Sequence, residues 1–577
     1  MSLPFRYDEP FVLLDFEEKR QLFRRPSSVV EVRDPAQVVP ALESLRRKNA
    51  AGFIGYEAGY SLEPKLAHLA RAPAPEDPPL LWFGIFDEPE TAPDLPDASG
   101  AWLSAPRPLV AADEYSKRLR TLDEHLLDGD IYQANFTFPA EIRFEGHPLA
   151  VYAQLRSRAK AGWGAVVFTG EHWIISCSPE LFFTLKDGKV TTRPMKGTAP
   201  PDSDPVALRS DPKQRAENLM IVDLLRNDIS KVAEPGTVDV PRLLEVERYP
   251  TVLQMTSTVV AELQPRLGPV DVIQAMFPCG SVTGVPKISA MEIIHREEAD
   301  ARGVYTGSIG MMDGKGQAAF NVAIRTLTIR AGSDRATLGL GSGIVADSIA
   351  ESEWSECLQK GKFIPSETAF ELIETMRAKA GALRDLPLHL ERLRRSAAQF
   401  DFAFDRARIE RSLSEAALAS GSGRLRLTLS SVGDLTIQVQ PLIDFPDQLR
   451  AMLLPLPVDR HDFRLRHKTT NRAFYDDARE QSGRDEVVFL DPDGFVTEGS
   501  FTNVFIERDG HLVTPPVGRG LLPGVLRRKL LDSGDAIEGD LTAEDLADGF
   551  LLGNSLRGLM PAKLDQFASR RKFAISS

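Results

Sequence analysis

The sequence predicts an α+β protein of two units, the first over residues 1–365 and the second over residues 366–577. Three observations carry this. A chain of 577 residues exceeds what one hydrophobic core organises. Short apolar runs of strand length, several joined at Asp-Gly turns, alternate with stretches of helical period. The pattern then changes after Phe363, where a break at "IPSET" opens a new series of hairpins and helices. That second series is about 200 residues long, an ordinary domain size.

In chain order, "AGFIGYEAGYSL" and "LLWFGIF" read as buried strands, with the loop "RAPAPEDPP" between them. Residues 113–135 read as a helix with Leu119, Leu122, Leu126 and Leu127 on one face. "WIISCSPELFFTL" and "GKVTTRPM" form strands joined at "KDG". "RPMKGTAP" reads as a strand end running into a turn. A long helix follows over residues 211–233, then a hairpin that turns at "DGKG". "ATLGLGSGIVADS" is a strand and Gly-rich turn before a helix over residues 349–363. In the second unit a strand and hairpin feed an amphipathic helix. Three hairpins follow, turning at "VGD", "DPDG" and "RDG", with two further helices.

Composition narrows the function classes. Hydrophobic residues make up 42% and charged residues 26%, the balance of a globular protein. The net charge of -13 argues against nucleic acid or an anionic membrane as partner. The three cysteines, Cys177, Cys279 and Cys357, are far apart and odd in number, with no metal spacing. They point to a reducing cytoplasm. The first residues carry acids and no basic n-region, so no signal peptide is expected. No apolar run has the length of a membrane span.

Carboxylates stand out in the first unit. Glu180 follows a strand, Glu217 lies near the start of an apolar helix, and Glu353 and Glu356 share one helix face. Taken singly, each is more often a solvated charge. As a set without His or Cys they suit a hard cation such as Mg²⁺ better than zinc. "GSGIVADS" offers backbone N–H groups at a turn, a usual anion cradle. Arg325 interrupts the apolar strand "AFNVAIRTL" and needs a partner, which a bound carboxylate supplies. The inferred ligand is an anionic small molecule bridged to a divalent cation.

Seven segments then carry a resemblance: "SPELFF", "RPMKGT", "RAENLMIVDLLRND", "GSVTGVPK", "GVYTGSIG", "FNVAIRTL" and "GSGIVADSIAESEWSE". In this order they resemble the chorismate-utilising enzymes, which include component I of anthranilate synthase, isochorismate synthase and component I of aminodeoxychorismate synthase. The resemblance covers roughly residues 50–363. It implies two orthogonally packed β-sheets flanked by helices. It implies Mg²⁺ on Glu217 and Glu356, with Glu353 close by, holding the ring carboxylate of chorismate. Arg325, Tyr305 and the turn of Gly341, Ser342 and Gly343 are implied to hold the other carboxylate and the substrate body. Gly197 and Thr198 are implied substrate contacts, and Glu180 the acid that assists departure of the C4 hydroxyl.

Lys196, in "RPMKGT", divides the family. Aminodeoxychorismate synthases typically carry lysine there, where anthranilate and isochorismate synthases carry alanine. A desolvated amine near a cation has a lowered pKa and becomes a nucleophile. Lys196 is then expected to add at C2 as the C4 hydroxyl leaves, so that ammonia enters at C4. Gln133 fits this assignment, since isochorismate synthases have a water-activating lysine at that place. Two features depart from relatives: Gln254 stands where several have histidine, and "FVLLDF" lacks the serine of the tryptophan-inhibition motif.

The second unit holds "RLRHKTTNR", "DGFVTEGSFTNVFI" and "LLPGVLRRKLL". A helix opening after Pro-Gly suits a phosphate. Together these resemble the fold-type IV pyridoxal-phosphate enzymes: branched-chain and D-amino-acid aminotransferases and aminodeoxychorismate lyase. The resemblance implies pyridoxal 5'-phosphate carried by Lys468. Glu498 is implied at the pyridine nitrogen, and Arg392, Val525 and Asn554 at the phosphate.

The joint expectation is a bifunctional enzyme. Chorismate and ammonia give 4-amino-4-deoxychorismate, which loses pyruvate to give 4-aminobenzoate for folate synthesis. The alternative is anthranilate synthase component I fused to an aminotransferase-like unit. No Cys-His-Glu glutaminase set is visible, so a separate glutamine amidotransferase subunit or free ammonia is expected. The second unit is a candidate homodimer contact.

Overall fold

The computed structural model describes residues 9–17, 19–159, 162–249, 252–365 and 369–565. Strand Phe11–Phe16 shows how the first unit is layered. All six of its residues are buried, so both faces of the strand are covered. Phe11 and Leu13 join one apolar cluster, while Val12, Leu14 and Phe16 join another. The period-two alternation of a strand thus feeds two cores at once.

The second of those cores lies between two sheets. It takes Val12 and Leu14 from an 11-stranded sheet and Phe53 and Trp82 from a 10-stranded one. The outer faces of both sheets are covered by helices. Helix Ala112–Asp128 packs its Tyr115, Leu119 and Leu122 on the first sheet. Helix Pro212–Ser230 packs Ile221, Val222 and Leu225 on the second. Among the described residues no helix is long and apolar enough to cross a membrane. All three cysteines are buried and unbridged.

Four local expectations change. The helix expected over 113–135 stops at Asp128. Gly129 adopts a left-handed φ of 78° and bonds back to the His125 and Leu126 carbonyls, a common helix stop. Leu127 is 81% exposed and leaves the apolar face, and Gln133 and Asn135 open strand Gln133–Glu145 instead. "RPMKGTAP" is a short strand, Met195–Ala199, rather than a turn. Its register against strand Val252–Glu262 slips between Met195↔Thr256 and Thr198↔Gln254, leaving one extra residue. This is a β-bulge, which re-aims side chains at an edge.

The expected Gly-rich turn is also a strand. Gly341, Ser342 and Gly343 lie within Arg335–Ile344 and pair with Thr137, Phe136 and Asn135. Finally, Arg325 does not interrupt a strand. Strand Ala318–Asn321 belongs to one large sheet and Thr326–Arg330 to the other, and Arg325 sits at the crossing with a φ of 50°.

The second unit has a four-stranded sheet and an eight-stranded sheet. Its three expected turns are present as Leu429↔Leu435, Leu490↔Val496 and Arg508↔His511. Helices Leu386–Gln399 and Arg406–Ser420 pack on the four-stranded sheet. Trp102, from the first unit, belongs to that same apolar cluster.

Candidate active sites

The bulge fixes the backbone that carries Lys196. Helix Pro212–Ser230 starts sharply because Asp211 caps it, accepting the Gln214 N–H at 2.8 Å, and Pro212 follows at the first position. The helix then delivers Asn218, whose Nδ2 donates to the Lys196 carbonyl at 3.1 Å. Ser257 Oγ donates to Asn218 Oδ1 at 2.7 Å and locks the amide orientation. Gln254 Nε2 donates to the Gly197 carbonyl at 2.9 Å. Gln254 therefore serves the backbone beside the lysine, where a relative's histidine raised the question of proton transfer. Gly197 has a φ of 95°, a conformation glycine takes without strain.

Strand Arg335–Ile344 supplies the opposite wall. Residues two apart share a face, and three glycines occupy that face. The space beside Gly339 is filled by the ring of Tyr305, and that beside Gly341 by Thr137. At Gly343 a methyl group would stand 2.7 Å from Gln133 Nε2 and 3.2 Å from Lys196 Nζ. The amine and the amide thus converge on the one position where no Cβ intrudes. Among the described residues Gln133 Oε1 is buried without a partner, so it is placed to meet a ligand. Ser342 points its side chain the other way, its hydroxyl 3.4 Å from that of Tyr115 in the core, so its backbone is what it offers to a substrate on the glycine face.

Burial pushes the Lys196 amine below its usual pKa, and the Lys360 cation adds to this, while Glu217, Glu180 and Glu356 oppose it. Lys360, which sequence reasoning missed, also donates to the Gly341 carbonyl at 2.9 Å. Glu180 is 5% exposed, and burial pushes its carboxyl up to about 7 against the pull of the Ser281 hydroxyl and Lys196. Its Oε1 has no hydrogen-bond partner among the described residues.

The three candidate metal ligands face one another electrostatically. Burial raises Glu217, and the Glu356 and Glu353 carboxylates reinforce the shift. Glu353 Oε1 accepts from Ser348 Oγ at 2.8 Å, and its buried Oε2 is unpartnered. Glu356 is paired with Lys360 at 2.7 Å. Among the described residues no three such side chains form a ready-made cage. The donor set nevertheless fits a hard cation: carboxylates that repel one another, one with an orphaned buried oxygen.

Arg325 is half-buried, and burial lowers its pKa. Among the described residues no carboxylate pairs with it, so the expectation of a protein-free partner stays open to a ligand. Tyr305 lies in a cavity of about 310 Å³ with Thr326, Thr328 and Thr337, along the strand from the lysine. Thr198 pairs with Gln254 through its backbone, and its side chain lies outside the described residues.

The second candidate site is a cavity of about 420 Å³ that gathers all five expected cofactor residues: Lys468, Glu498, Arg392, Val525 and Asn554. Burial, with Arg472 and Arg392 nearby, brings the Lys468 amine down to about 7. Glu498 is buried and accepts the Tyr475 hydroxyl, and burial pushes its carboxyl up to about 7. Arg392 reaches both oxygens of Glu374, at 2.9 and 2.6 Å. Burial raises Glu374, but Arg392 and His389 outweigh it and hold its carboxyl at about 2. His389 continues the chain to Ser555 Oγ at 2.9 Å. Neither Glu374 nor His389 was legible as part of the site.

Val525 opens helix Val525–Asp532, whose first N–H groups face the cavity end. Gly524 before it is pressed against Asn503, so a Cβ would fill this end. Asn554 accepts the Arg557 N–H at 3.0 Å and donates weakly to the Phe501 carbonyl. A lowered lysine, a buried acid and a helix N-terminus in one cavity fit a phosphorylated pyridine aldehyde.

Comparison with known proteins agrees with both halves. The chorismate binding enzyme family model matches residues 6–366, and that of amino-transferase class IV matches residues 371–564. Aminodeoxychorismate synthase component 1 of Klebsiella aerogenes is 38% identical over 344 residues, 54% of this chain and 75% of that protein. The 2-amino-4-deoxychorismate synthase of Streptomyces globisporus is 40% identical over 283 residues, 48% of this chain but only 57% of that protein. The crystal structure of anthranilate synthase component I from Streptococcus pneumoniae TIGR4 superposes with a TM-score of 0.50 at 26% identity, covering 63% of this chain and 93% of that one. With a family match that spans well over half its length, the chain belongs to the chorismate binding enzyme family and carries a class IV aminotransferase unit behind that domain.

Proposed function

We propose that the chain makes 4-aminobenzoate in two steps, with a division of labour near residues 365–366. The observation that carries this reading is the Lys196 amine, lowered in pKa and brought to the Gly343 position beside Gln133. The similar proteins named above include enzymes of both C2 and C4 amination, so overall identity does not choose between them. Lys196, read as a nucleophile, supports C4.

In the first step the Lys196 nitrogen bonds to C2 of chorismate, both ring double bonds shift by one position, and the C4–O bond breaks. Glu180, still protonated near neutral pH, gives its proton to the departing oxygen, which leaves as water. Ammonia then bonds to C4 and the electrons shift back as the C2–nitrogen bond to Lys196 breaks. Arg325 and Tyr305 hold the enolpyruvyl carboxylate. Glu217, Glu353 and Glu356 would hold Mg²⁺, which would neutralise the ring carboxylate. In the second step pyridoxal 5'-phosphate, when bound, would supply an electron sink. Arg392, Asn554 and the N–H groups at Val525 would take its phosphate, and Glu498 would face its ring nitrogen. Lys468, once free, removes the proton from C4 of 4-amino-4-deoxychorismate. The C3–O bond breaks, pyruvate leaves, and the ring becomes aromatic.

This reading includes ammonia from a separate glutamine amidotransferase subunit, a cytoplasmic setting and a homodimer through the second unit. The decisive experiment incubates the purified chain with chorismate, ammonium and Mg²⁺, with and without pyridoxal 5'-phosphate. Products are separated against authentic isomers. Wild type should yield 4-aminobenzoate, and Lys468→Ala should stop at 4-amino-4-deoxychorismate. Anthranilate as the main product would favour the ortho alternative and sink the assignment of Lys196.

A further inference from the structure

The segment that leads into Lys468 is short and polar, and it is held from both units: within its own, Ser396 Oγ lies 2.9 Å from His467 Nδ1, and Phe463 packs on Phe370 and Phe400. Asp462 caps helix Phe463–Arg466 by accepting the Arg464 N–H at 2.9 Å. Arg464 folds back on Asp462, with Nη2 on Oδ2 at 2.6 Å. Both side chains are buried. The same Nη2 donates at 2.7 Å to Oδ2 of Asp97, 367 residues earlier in the first unit. Three residues after Asp97, the chain passes so close that a methyl group on Gly100 would stand 2.5 Å from Asp462 Oδ2.

Further contacts join this segment to the first unit. Trp102 lies with its ring 5.0 Å from that of Phe400, and Phe400 in turn stacks edge-on against His467 at 4.6 Å. Glu145 lies 3.8 Å from Arg466 and 4.0 Å from His467. The ring of His147 is 5.6 Å from that of His461. On its far side the lysine is anchored within its own unit, where the Ile373 N–H donates to the Lys468 carbonyl at 2.8 Å. Arg464 and His467 also line the cavity into which Lys468 projects.

We propose that Asp97 is a positioning residue for Lys468, so that the first unit completes the foundation of the second active site. The inference rests on the reading of Lys468 as the cofactor lysine. Asp97 touches neither substrate nor cofactor and acts through Arg464. Without its carboxylate, Arg464 keeps Asp462 but loses the ion pair that is one of the ties of helix Phe463–Arg466 to the first unit. The lysine then samples more positions, and each is less suited to the carbonyl of pyridoxal phosphate.

The test uses the full-length chain with pyridoxal 5'-phosphate added, comparing wild type with Asp97→Asn. Cofactor affinity and the pH at which its absorbance band changes are read by titration, and hydrogen exchange is followed over residues 459–468. Expected are an affinity about tenfold weaker, the size of losing one charge-assisted hydrogen bond, and faster exchange in that segment. The band should also change at a shifted pH, while chorismate amination stays within twofold of wild type. If wild type shows no cofactor band, the reading of Lys468 falls and the proposal with it. If wild type shows the band and a folded Asp97→Asn matches it in affinity, titration and exchange, the reading of Lys468 stands and the proposal is overturned. Should Asp97→Asn not fold, Glu145→Gln decides on the same readouts, an unchanged band and exchange again overturning it.

Discussion

Gly343→Ala tests the lysine site through space rather than through chemistry. The added methyl group falls 2.7 Å from Gln133 Nε2 and 3.2 Å from Lys196 Nζ. Ordinary contact begins near 3.4 Å. The amide must therefore retreat about 0.7 Å and the amine about 0.2 Å. Misplacing a group in the site by about 1 Å costs roughly 10²-fold in rate, so the shift of about 0.7 Å at Gln133 should lower chorismate amination by about 25-fold. Overpacking a buried strand also destabilises, by about 1–3 kcal/mol, which thermal denaturation will register separately. The assay follows chorismate loss with ammonium and Mg²⁺ in the folded variant. It is paired with conversion of supplied 4-amino-4-deoxychorismate, which reports only the second unit and should be unchanged. An amination rate within threefold of wild type would refute the argument, because the lysine would then not work where the glycine leaves room.

The remaining predictions are independent of that space. Lys196→Ala should lower C4 amination by about 10³-fold, as expected for removing a covalent nucleophile, and any residual amino product should be the ortho isomer on chromatography. Glu180 is useful while protonated, so the amination rate should fall as pH rises through about 7, and Glu180→Gln should remove that limb from the pH profile. Its folded pKa lies above the ordinary 4.5, so its contribution to stability is complete below 4.5 and is lost as pH rises to about 7. Denaturant titrations across that window should show a flatter pH slope in Glu180→Gln. Glu353→Gln should raise the Mg²⁺ concentration for half-maximal amination about tenfold, read by metal titration, because the orphaned buried oxygen becomes an amide.

The sequence was legible where structure is set locally. The "KDG", "VGD", "DPDG" and "RDG" turns form as read because turn chemistry needs only its own residues. Lys196, Glu180 and Lys468 were found because their segments match a known order. Misreadings arose where the deciding partner is distant. Gly341 and Gly343 looked like parts of a turn, yet with Gly339 they are small because Tyr305, Thr137, Gln133 and Lys196 need the room. The apolar alternation around Arg325 runs on unbroken while the chain changes sheets, and nothing local marks that crossing. Leu127 fits the helical period but falls in the last turn, two residues before Gly129 ends the helix. Lys360 on the Gly341 carbonyl and Asp97 on Arg464 are contacts that no window of sequence contains.

The extra residue between Met195 and Thr198 has a consequence for how such enzymes diverge. A bulge is a property of chain length, so it survives any change of the side chain it presents. The backbone carbonyls of Lys196 and Gly197 are held by Asn218 and Gln254 whichever side chain stands at 196. A single codon at that position would then exchange a nucleophile for an empty space on an unchanged scaffold. Which carbon of the ring receives nitrogen becomes a choice made by point mutation, with no new fold, loop or metal site to evolve alongside it.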